Sequence, residues 1–146
     1  MLPHRTDAGR IDKKKIANRR IKGTFLRALY LKMERNKQLM YDVEDFWKFD
    51  LRVGLIEEAE RVPNSRKLIK LLVNFGKEKR VIVTGIADQF PPDDLVGKKM
   101  IFVLNLKPKK IMNVESQGML LLAEEDSGKV HLITVDDSVP IGTKVW

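Results

Sequence analysis

The sequence predicts an all-β domain that forms a small barrel, preceded by a basic helical segment. Two observations lead to this fold class: short apolar and β-branched runs recur after Tyr41, and residues typical of turns separate them. A third is a change in composition near Met40, because cationic residues dominate before it. A small β-sandwich is the competing architecture, since it is built from similar short strands.

The composition indicates one globular domain with an extension. The chain has 146 residues, of which 43% are hydrophobic and 33% charged, enough for one core but not for two. It contains no apolar run of the roughly 18 to 20 residues that cross a bilayer, and residues 1–10 lack the apolar run of a secretory signal. We therefore expect a soluble, cytoplasmic protein. The absence of cysteine excludes thiolate metal sites, disulfides and cysteine nucleophiles.

The net charge of +8 predicts a polyanionic partner, such as nucleic acid or, less specifically, an anionic membrane surface. Its distribution is uneven: residues 1–40 hold 12 Lys and Arg against three acids, whereas the rest of the chain holds 16 against 17. The globular part is thus almost neutral. It must bind an anion through a local patch.

The first 40 residues are predicted to be a separate basic extension, helical or partly disordered. From Asp12 to about Met40, two rows of apolar residues recur at helical spacing: Ile21, Phe25 and Leu29, then Leu26, Tyr30 and Met33. Asp12 can cap this helix, and Gly23 weakens it. A solvated tail is the alternative. A further alternative is that translation starts at Met33 or Met40, in which case much of this segment would not be part of the protein.

Residues 41–146 contain the predicted barrel. Phe46, Trp47 and Phe49 belong to an aromatic cluster that we interpret as a helical turn plugging one end of it. Six strand-like runs follow: Leu51 to Ala59, Leu68 to Phe75, Arg80 to Ile86, Met100 to Leu104, Met119 to Ala123 and Val130 to Val135.

Turn residues separate these runs and complete the pattern. Pro63-Asn64-Ser65 and Phe75-Gly76-Lys77 end the first two runs, and Asp126-Ser127-Gly128 predicts a hairpin before the last. Pro91 to Leu95 predicts a short helix between the third and fourth strands. Five or six short strands with one helix at this place are typical of a five-stranded oligonucleotide-binding (OB-fold) barrel.

The sequence offers little that could support catalysis. Its two histidines, His4 and His131, cannot form a histidine triad or a paired zinc site. Acidic pairs such as Asp93-Asp94 lie in turn-like contexts, where a carboxyl is not buried enough to act as a general acid. Glycines occur singly and form no phosphate-binding loop. We therefore predict a protein that is not an enzyme, with no cofactor and no metal site.

One segment has the chemistry of a phosphate contact. Asn105-Leu106-Lys107-Pro108-Lys109-Lys110 presents three lysines around a proline directly after a strand, although a solvated loop would look the same. Ser116-Gln117-Gly118-Met119 then places a hydroxyl, an amide, bare backbone and a flexible apolar side chain at the start of the next strand. By chemistry alone this signal is weak.

Six separated motifs resemble the tRNA-binding domain family, which includes the β subunit or C-terminal domain of methionyl-tRNA synthetase and free-standing tRNA-binding proteins. They are Phe49 to Gly54, Pro63 to Leu68, Arg80 to Ile86, Leu95 to Lys99, Asn105 to Lys110 and Glu115 to Met119. The resemblance covers about Tyr41 to Trp146. The sequence departs from the family pattern at Ser65-Arg66, where relatives often have Ala-Asp, and at Thr84, where serine is frequent.

The resemblance implies an OB-fold barrel with a C-terminal extension through which two copies pair, and sequence-independent, structure-specific tRNA binding. It also implies an accessory role beside an aminoacyl-tRNA synthetase, with methionyl favoured as the catalytic partner. The matching positions for tRNA binding are Arg52, Lys67, Arg80, Asn105, Lys107, Pro108, Lys109, Ser116, Gly118 and Met119.

Several alternatives stay open at this level. Arg52 and Arg80 lie in strand contexts, so either can form an internal ion pair with an acid such as Glu58 instead, and Met119 can belong to the core. A related branch of the same fold binds unfolded peptides as an export-related chaperone. A general single-strand binder needs exposed aromatic platforms, and most aromatic residues here are assigned to the core or the cluster before Leu51.

Overall fold

The computed structural model describes residues 39–146, together with Leu31 and two short strands near the start of the chain. These strands, β1 (Arg5–Thr6) and β2 (Arg10–Ile11), pair antiparallel. Leu31 is helical. The other residues of the predicted helix from Asp12 up to residue 38 lie outside the described residues. The chain divides into two units, Val43–Ala123 with Leu132–Trp146, and Met1–Asp42 with Glu124–His131.

All six predicted strand regions contain strands. In chain order the elements are α1 (Val43–Phe46), β3 (Leu51–Arg61), β4 (Ile69–Asn74), β5 (Lys79–Thr84), a 3₁₀ helix (Pro92–Asp94), β6 (Lys99–Val103), β7 (Lys109–Ile111), β8 (Val114–Ser116), β9 (Met119–Leu120), β10 (Leu122–Glu124), β11 (Val130–Leu132) and β12 (Lys144–Val145). The 3₁₀ helix lies where the proline pair predicts it, between the third and fourth strands of the barrel. The fifth predicted run is divided between β9 and β10.

The main sheet is antiparallel, with the strand order β5-β4-β3-β6-β9 and with β12 paired to β3. The long strand β3 takes part in both halves: Leu51 to Leu55 pair with β6, and Leu55 to Arg61 pair with β4. A register shift between Ile56 and Glu58 bends this strand, as a β-bulge does. The sheet curves into a nearly closed barrel, which confirms the predicted OB-fold over the sandwich.

The barrel interior is filled by residues that alternate along the strands. In β4, Ile69, Leu71 and Val73 are each 0% exposed, and the residues between them are only partly covered. Phe102 in β6 packs edge-on against Phe75, with ring centroids 5.4 Å apart.

The aromatic cluster before β3 is a helical turn, as predicted, but its interpretation as a barrel plug is wrong. No residue of α1 is buried, and Phe46, Trp47 and Phe49 are 47%, 48% and 46% exposed. Leu95, which directly follows the 3₁₀ helix, is 0% exposed. The strands and the loop residues that adjoin them, Leu95 and Phe75 among them, therefore supply the core, and the aromatic residues of the cluster remain at the surface.

The C-terminal segment is an integral strand of the barrel unit. Lys144 pairs with Arg52 and Val145 with Leu51, and the Gly142 amide donates to the Val53 carbonyl oxygen at 2.7 Å. Gly142 has a φ of +88°, and a Cβ there would lie 2.6 Å from the Phe75 carbonyl oxygen, so only glycine fits. Trp146 ends the chain 79% exposed, edge-on to Trp47 at 6.3 Å.

Candidate nucleic-acid interface

Arg80 forms hydrogen bonds to both ends of the segment from Leu104 to Gln117, which contains the Lys-Pro motif. Its Nη1 donates to the carbonyl oxygens of Leu104 and Gln117, at 2.7 and 3.1 Å. Its Nε and Nη2 donate to the two carboxylate oxygens of Glu78, at 3.1 and 3.0 Å. The guanidinium is thus held by a forked ion pair and occupied by backbone contacts. The alternative of an ion pair is confirmed for Arg80, with Glu78 in place of Glu58.

Asn105 uses its whole side-chain amide to hold the chain that enters β3. Its Oδ1 accepts from the Asp50 amide at 2.7 Å, and its Nδ2 donates to the Lys48 carbonyl oxygen at 2.7 Å. The Leu104 amide adds a third bond, to the Asp50 carbonyl oxygen at 2.8 Å. Asn105 therefore positions the start of the Lys-Pro loop.

Arg52, like Asn105, bonds to Asp50. Its Nε donates to Asp50 Oδ1 at 2.8 Å, and its Nη1 donates to the Gly142 carbonyl oxygen at 3.2 Å. Lys144 approaches the same carboxylate oxygen, at 3.9 Å. Arg52 is thus also paired with an acid, although with Asp50 in place of Glu58, and its side chain remains 37% exposed.

The Ser-Gln-Gly motif completes the barrel at the free edge of β5. Ser116 is 5% exposed, and its hydroxyl accepts from the Val83 amide at 3.0 Å and donates to the Gly118 carbonyl oxygen at 3.1 Å. Gln117 Oε1 accepts from the Val81 backbone amide at 2.9 Å, and the backbone amide of Gln117 donates to the Val81 carbonyl oxygen at 2.8 Å. Two side chains and one backbone amide thus bond the edge of β5, in place of the backbone partners that a neighbouring strand would supply.

Gly118 fits this junction because it lacks a side chain. A Cβ at this position would lie 2.9 Å from the Val103 carbonyl oxygen and 3.0 Å from Ile82 Cδ1. Met119, one residue later, is 46% exposed, so the alternative that it belongs to the core is wrong. The motif therefore contributes structure through Ser116, Gln117 and Gly118, and a surface side chain through Met119.

Exposed cationic and apolar side chains surround this anchored junction. We call them the Lys-Pro surface: Leu106, Lys107, Pro108, Lys109, Lys110, Met112 and Met119. Leu106, Met112 and Met119 are 37%, 49% and 46% exposed. Within the described part of the chain, Lys107, Lys109 and Lys110 form no ion pair. The surface therefore combines lysines that form no ion pair with apolar side chains that face water.

The structure brings most of the predicted site residues together and leaves one elsewhere. Arg80 binds the Leu104 carbonyl oxygen and Asn105 accepts from the Asp50 amide, immediately before Lys107 along the chain. Arg52 is linked to this region only through Asp50, whose carboxylate accepts from its Nε. Lys67 lies toward the opposite end of β5, because Ile69 pairs with Thr84 there. Its Nζ lies 3.7 Å from Asp88 Oδ2, and its carbonyl oxygen accepts from the Ala87 amide at 2.8 Å.

Sequence reasoning missed Met112 as a candidate surface residue, and it included Lys110 in the Lys-Pro motif but not among the family-matched positions. Both lie in a hairpin made by β7 and β8, which was not predicted. Asn113, a residue that tolerates the left-handed conformation, follows the apolar residues Ile111 and Met112 and was the one signal of a tight turn.

Other kinds of site were sought in the same part of the chain. Among the described residues, no group of three or more His, Cys, Asp or Glu could hold a metal ion. No helix in the described ranges is long and apolar enough to span a membrane.

Comparison with known proteins agrees with the fold and with the motifs. The family model described as "Putative tRNA binding domain" matches residues 51–144. The methionine--tRNA ligase of Methanocaldococcus jannaschii is 46% identical over 136 residues, covering 90% of this chain and 21% of the ligase. That of Thermotoga maritima is 52% identical over 103 residues, covering 70% of this chain and 16% of the ligase. The chain thus spans about a fifth or less of the length of these relatives.

Two solved structures resemble the chain over about three quarters of its length. The MetRS related protein from Pyrococcus horikoshii has a TM-score of 0.73 and 61% sequence identity, with 74% of this chain and 99% of that chain covered. The chaperone CsaA from Bacillus anthracis has a TM-score of 0.67 and 30% identity, with 74% and 100% covered. The chain therefore belongs to the tRNA-binding domain family.

Proposed function

We propose that this chain is a noncatalytic module that binds tRNA by its shape and assists an aminoacyl-tRNA synthetase, with methionyl-tRNA synthetase as the favoured partner. The observation that carries the proposal is the Lys-Pro surface. Its three lysines are exposed and have no ion pair in the described part of the chain, and the loop that presents them is held at both ends by Arg80.

The chemistry of this surface suits folded RNA. A-form RNA has a deep, narrow major groove, so proteins recognise it through phosphates, 2′-hydroxyl groups and unstacked bases. Lysines on an anchored loop can contact phosphates at fixed spacing, which favours recognition of shape over sequence. In this proposal Arg52, Arg80, Asn105, Ser116 and Gly118 position the surface, and Lys107, Lys109 and Met119 contact the RNA. Pro108 stiffens the loop between the lysines. Lys67 would make a separate, peripheral contact.

The accessory role rests on the relatives. They are ligases in which the matched region is a small part of the chain, so we assign catalysis to another polypeptide or domain. The match to the Methanocaldococcus jannaschii ligase covers more of this chain than residues 41–146 contain, so it extends into the basic segment. This favours genuine translation of that segment over an artefact. We treat residues 1–40 and 41–146 as extension and domain, and assign the extension nonspecific RNA affinity or docking on an acidic partner.

A homodimer is part of the proposal. The exposed side chains of Phe46, Trp47, Phe49 and Trp146 form an apolar surface at the end of the barrel unit, of the kind that marks protein interfaces. Twofold pairing would cover it on both copies. Light scattering at micromolar concentration should give twice the mass of one chain. Trp146→Ala should shift the equilibrium toward the monomer, and a monomeric wild-type protein at every concentration would refute pairing.

Salt-dependent binding tests the main proposal. If about four to six phosphates are neutralised, the logarithm of the association constant should fall with the logarithm of salt with a slope of roughly −3 to −5. Fluorescence anisotropy with one labelled tRNA at several salt concentrations measures this slope. A flat response would rule out backbone contact as the main term. Deletion of residues 1–39 should weaken binding without abolishing it, and unchanged affinity would show that the extension does not contact RNA.

A peptide-binding chaperone is the second candidate, because the CsaA structures from Bacillus anthracis and Picrophilus torridus share this fold at 30% and 33% identity. Competition between tRNA and an unfolded protein for the immobilised chain distinguishes the two functions. The proposal expects tRNA to be retained and the unfolded protein to be washed away. Sequencing the RNA that copurifies from native cells would identify the preferred tRNA.

A further inference from the structure

The β7–β8 hairpin extends from the Lys-Pro loop as a small sheet of its own. Lys109 pairs with Ser116, Lys110 with Glu115 and Ile111 with Val114, which leaves Met112 and Asn113 as a two-residue turn. Both turn residues have positive φ, 48° and 67°. Two-residue hairpins with positive φ at both positions strongly prefer Asn and Gly. Asn113 agrees with this preference, and Met112 does not.

Met112 is therefore unfavourable for the local backbone. A left-handed conformation is uncommon for a residue with a long side chain, because Cβ crowds the backbone. In addition, its side chain is 49% exposed, so it gains little from burial in the protein. Glycine or asparagine would form the same turn more easily. Residues kept in such conformations are concentrated at sites that clamp a ligand.

The base of the hairpin is rigidly held. Ser116 Oγ accepts from the Val83 amide at 3.0 Å, which ties β8 to β5 of the barrel. Arg80 joins the chain before the hairpin, at Leu104, to the chain after it, at Gln117. The tip is thus presented at a defined place, so little conformational entropy is lost when it meets a partner.

We propose that Met112 is the apolar tip of the RNA contact and packs against a base that is left exposed where the folded RNA bends; this inference rests on the proposed tRNA-binding function. The charge around the tip selects this occupant. Lys109 and Lys110 lie two to three residues from Met112 and have no ion pair among the described residues, and Glu115, opposite Lys110 across the hairpin, is the one acid in residues 105–118. They can bind phosphates on either side of the base. Apolar wedges flanked by cations are a known way to hold distorted nucleic acid.

Met112→Gly is the variant that tests the inference without endangering the fold. Glycine adopts positive φ freely, so the melting temperature should be unchanged or higher. Affinity for a folded tRNA should fall about fivefold or more, because the apolar contact is lost. Met112→Leu keeps an apolar side chain of similar volume, and its affinity should stay within about twofold of wild type.

Charge and apolar contact can be separated by the salt dependence. Lys110→Met should reduce the magnitude of the salt slope by about one, whereas Met112→Gly should leave the slope unchanged, since it removes no phosphate contact. If wild type binds tRNA and Met112→Gly binds equally tightly, the inference is overturned and the proposed function stands. If Met112→Gly instead loses affinity only for unfolded protein, the tip is a peptide contact. If wild type does not bind tRNA in this assay, both proposals fail.

Discussion

Arg80 donates a hydrogen bond to the carbonyl oxygen of Gln117 at 3.1 Å, and the same nitrogen donates to Leu104 at 2.7 Å. One side chain thus joins the two points at which the Lys-Pro loop and its hairpin leave the barrel. Glu78 occupies the remaining face of the guanidinium. The guanidinium of Arg80 is thus paired within the protein. This gives Arg80 a positioning role that can be separated experimentally from RNA contact.

Arg80→Lys should destabilise the fold while leaving the salt slope of tRNA binding unchanged. Lysine keeps the charge but cannot hold Glu78 and both carbonyl groups at once. We expect the free energy of unfolding to fall by about 1–3 kcal/mol in urea titrations. Lys77→Met, at an exposed position in the neighbouring turn, is the control and should leave stability unchanged. Unchanged stability would contradict the positioning role of Arg80.

Asn105→Ala should lower stability by about 1 kcal/mol, because the Asp50 amide and the Lys48 carbonyl oxygen lose their partner. Asn105→Asp retains the acceptor but places a carboxylate oxygen against the Lys48 carbonyl oxygen, so its loss should be at least as large. Urea unfolding measures both variants, and tRNA affinity is measured on the same samples. Unchanged stability with strongly reduced affinity would contradict the positioning role and assign Asn105 to direct contact.

Gly118→Ala should destabilise the barrel by about 1–3 kcal/mol, because the new methyl group meets the backbone at Val103 and cannot move it. Gly85→Ala is the matched control, since the nearest atom to a Cβ there is Leu68 Cδ2 at 3.8 Å. Thermal unfolding of the two variants provides the comparison. Equal melting temperatures would mean that β9 can shift away from Val103.

Glu57 should contribute to stability in a pH-dependent way. Hydrogen bonds from Lys79 and Asn74 hold the pKa of Glu57 below its ordinary value, against a smaller opposing effect of desolvation. A group whose pKa is lower in the folded state than in the unfolded state stabilises the protein fully at pH values above its unfolded-state pKa. That contribution is lost as the pH falls through the folded-state pKa. Stability should therefore decline from about pH 4.5 downward.

Glu57→Gln cannot titrate, so the free energy of unfolding should depend less steeply on pH over this acidic range than in wild type. Lys79→Met should have a similar effect, because Lys79 is the first cause of the lowered pKa. Urea titrations at a series of pH values give both curves. Curves parallel to that of wild type would show that this cluster does not contribute to acid unfolding.

The barrel was largely predictable because its signals are local. The alternation of Ile69, Leu71 and Val73 reports one buried face, and the proline pair before Asp93 reports a short helix. The strands β7 and β8 were missed because each has three residues, too few to show a period. The position of Phe46 and Trp47 was misjudged because an apolar side chain does not reveal whether its own domain or another molecule will cover it.

The candidate site, too, was predictable in part. The sequence by itself determined the fold class, the cationic segment and the family, because these depend on residue type and order along the chain. Only the tertiary structure decided which motif residues support the site and which face solvent. Arg80, Asn105 and Ser116 find their partners 24, 57 and 33 residues away, and such long-range hydrogen bonds leave no periodic trace in the sequence.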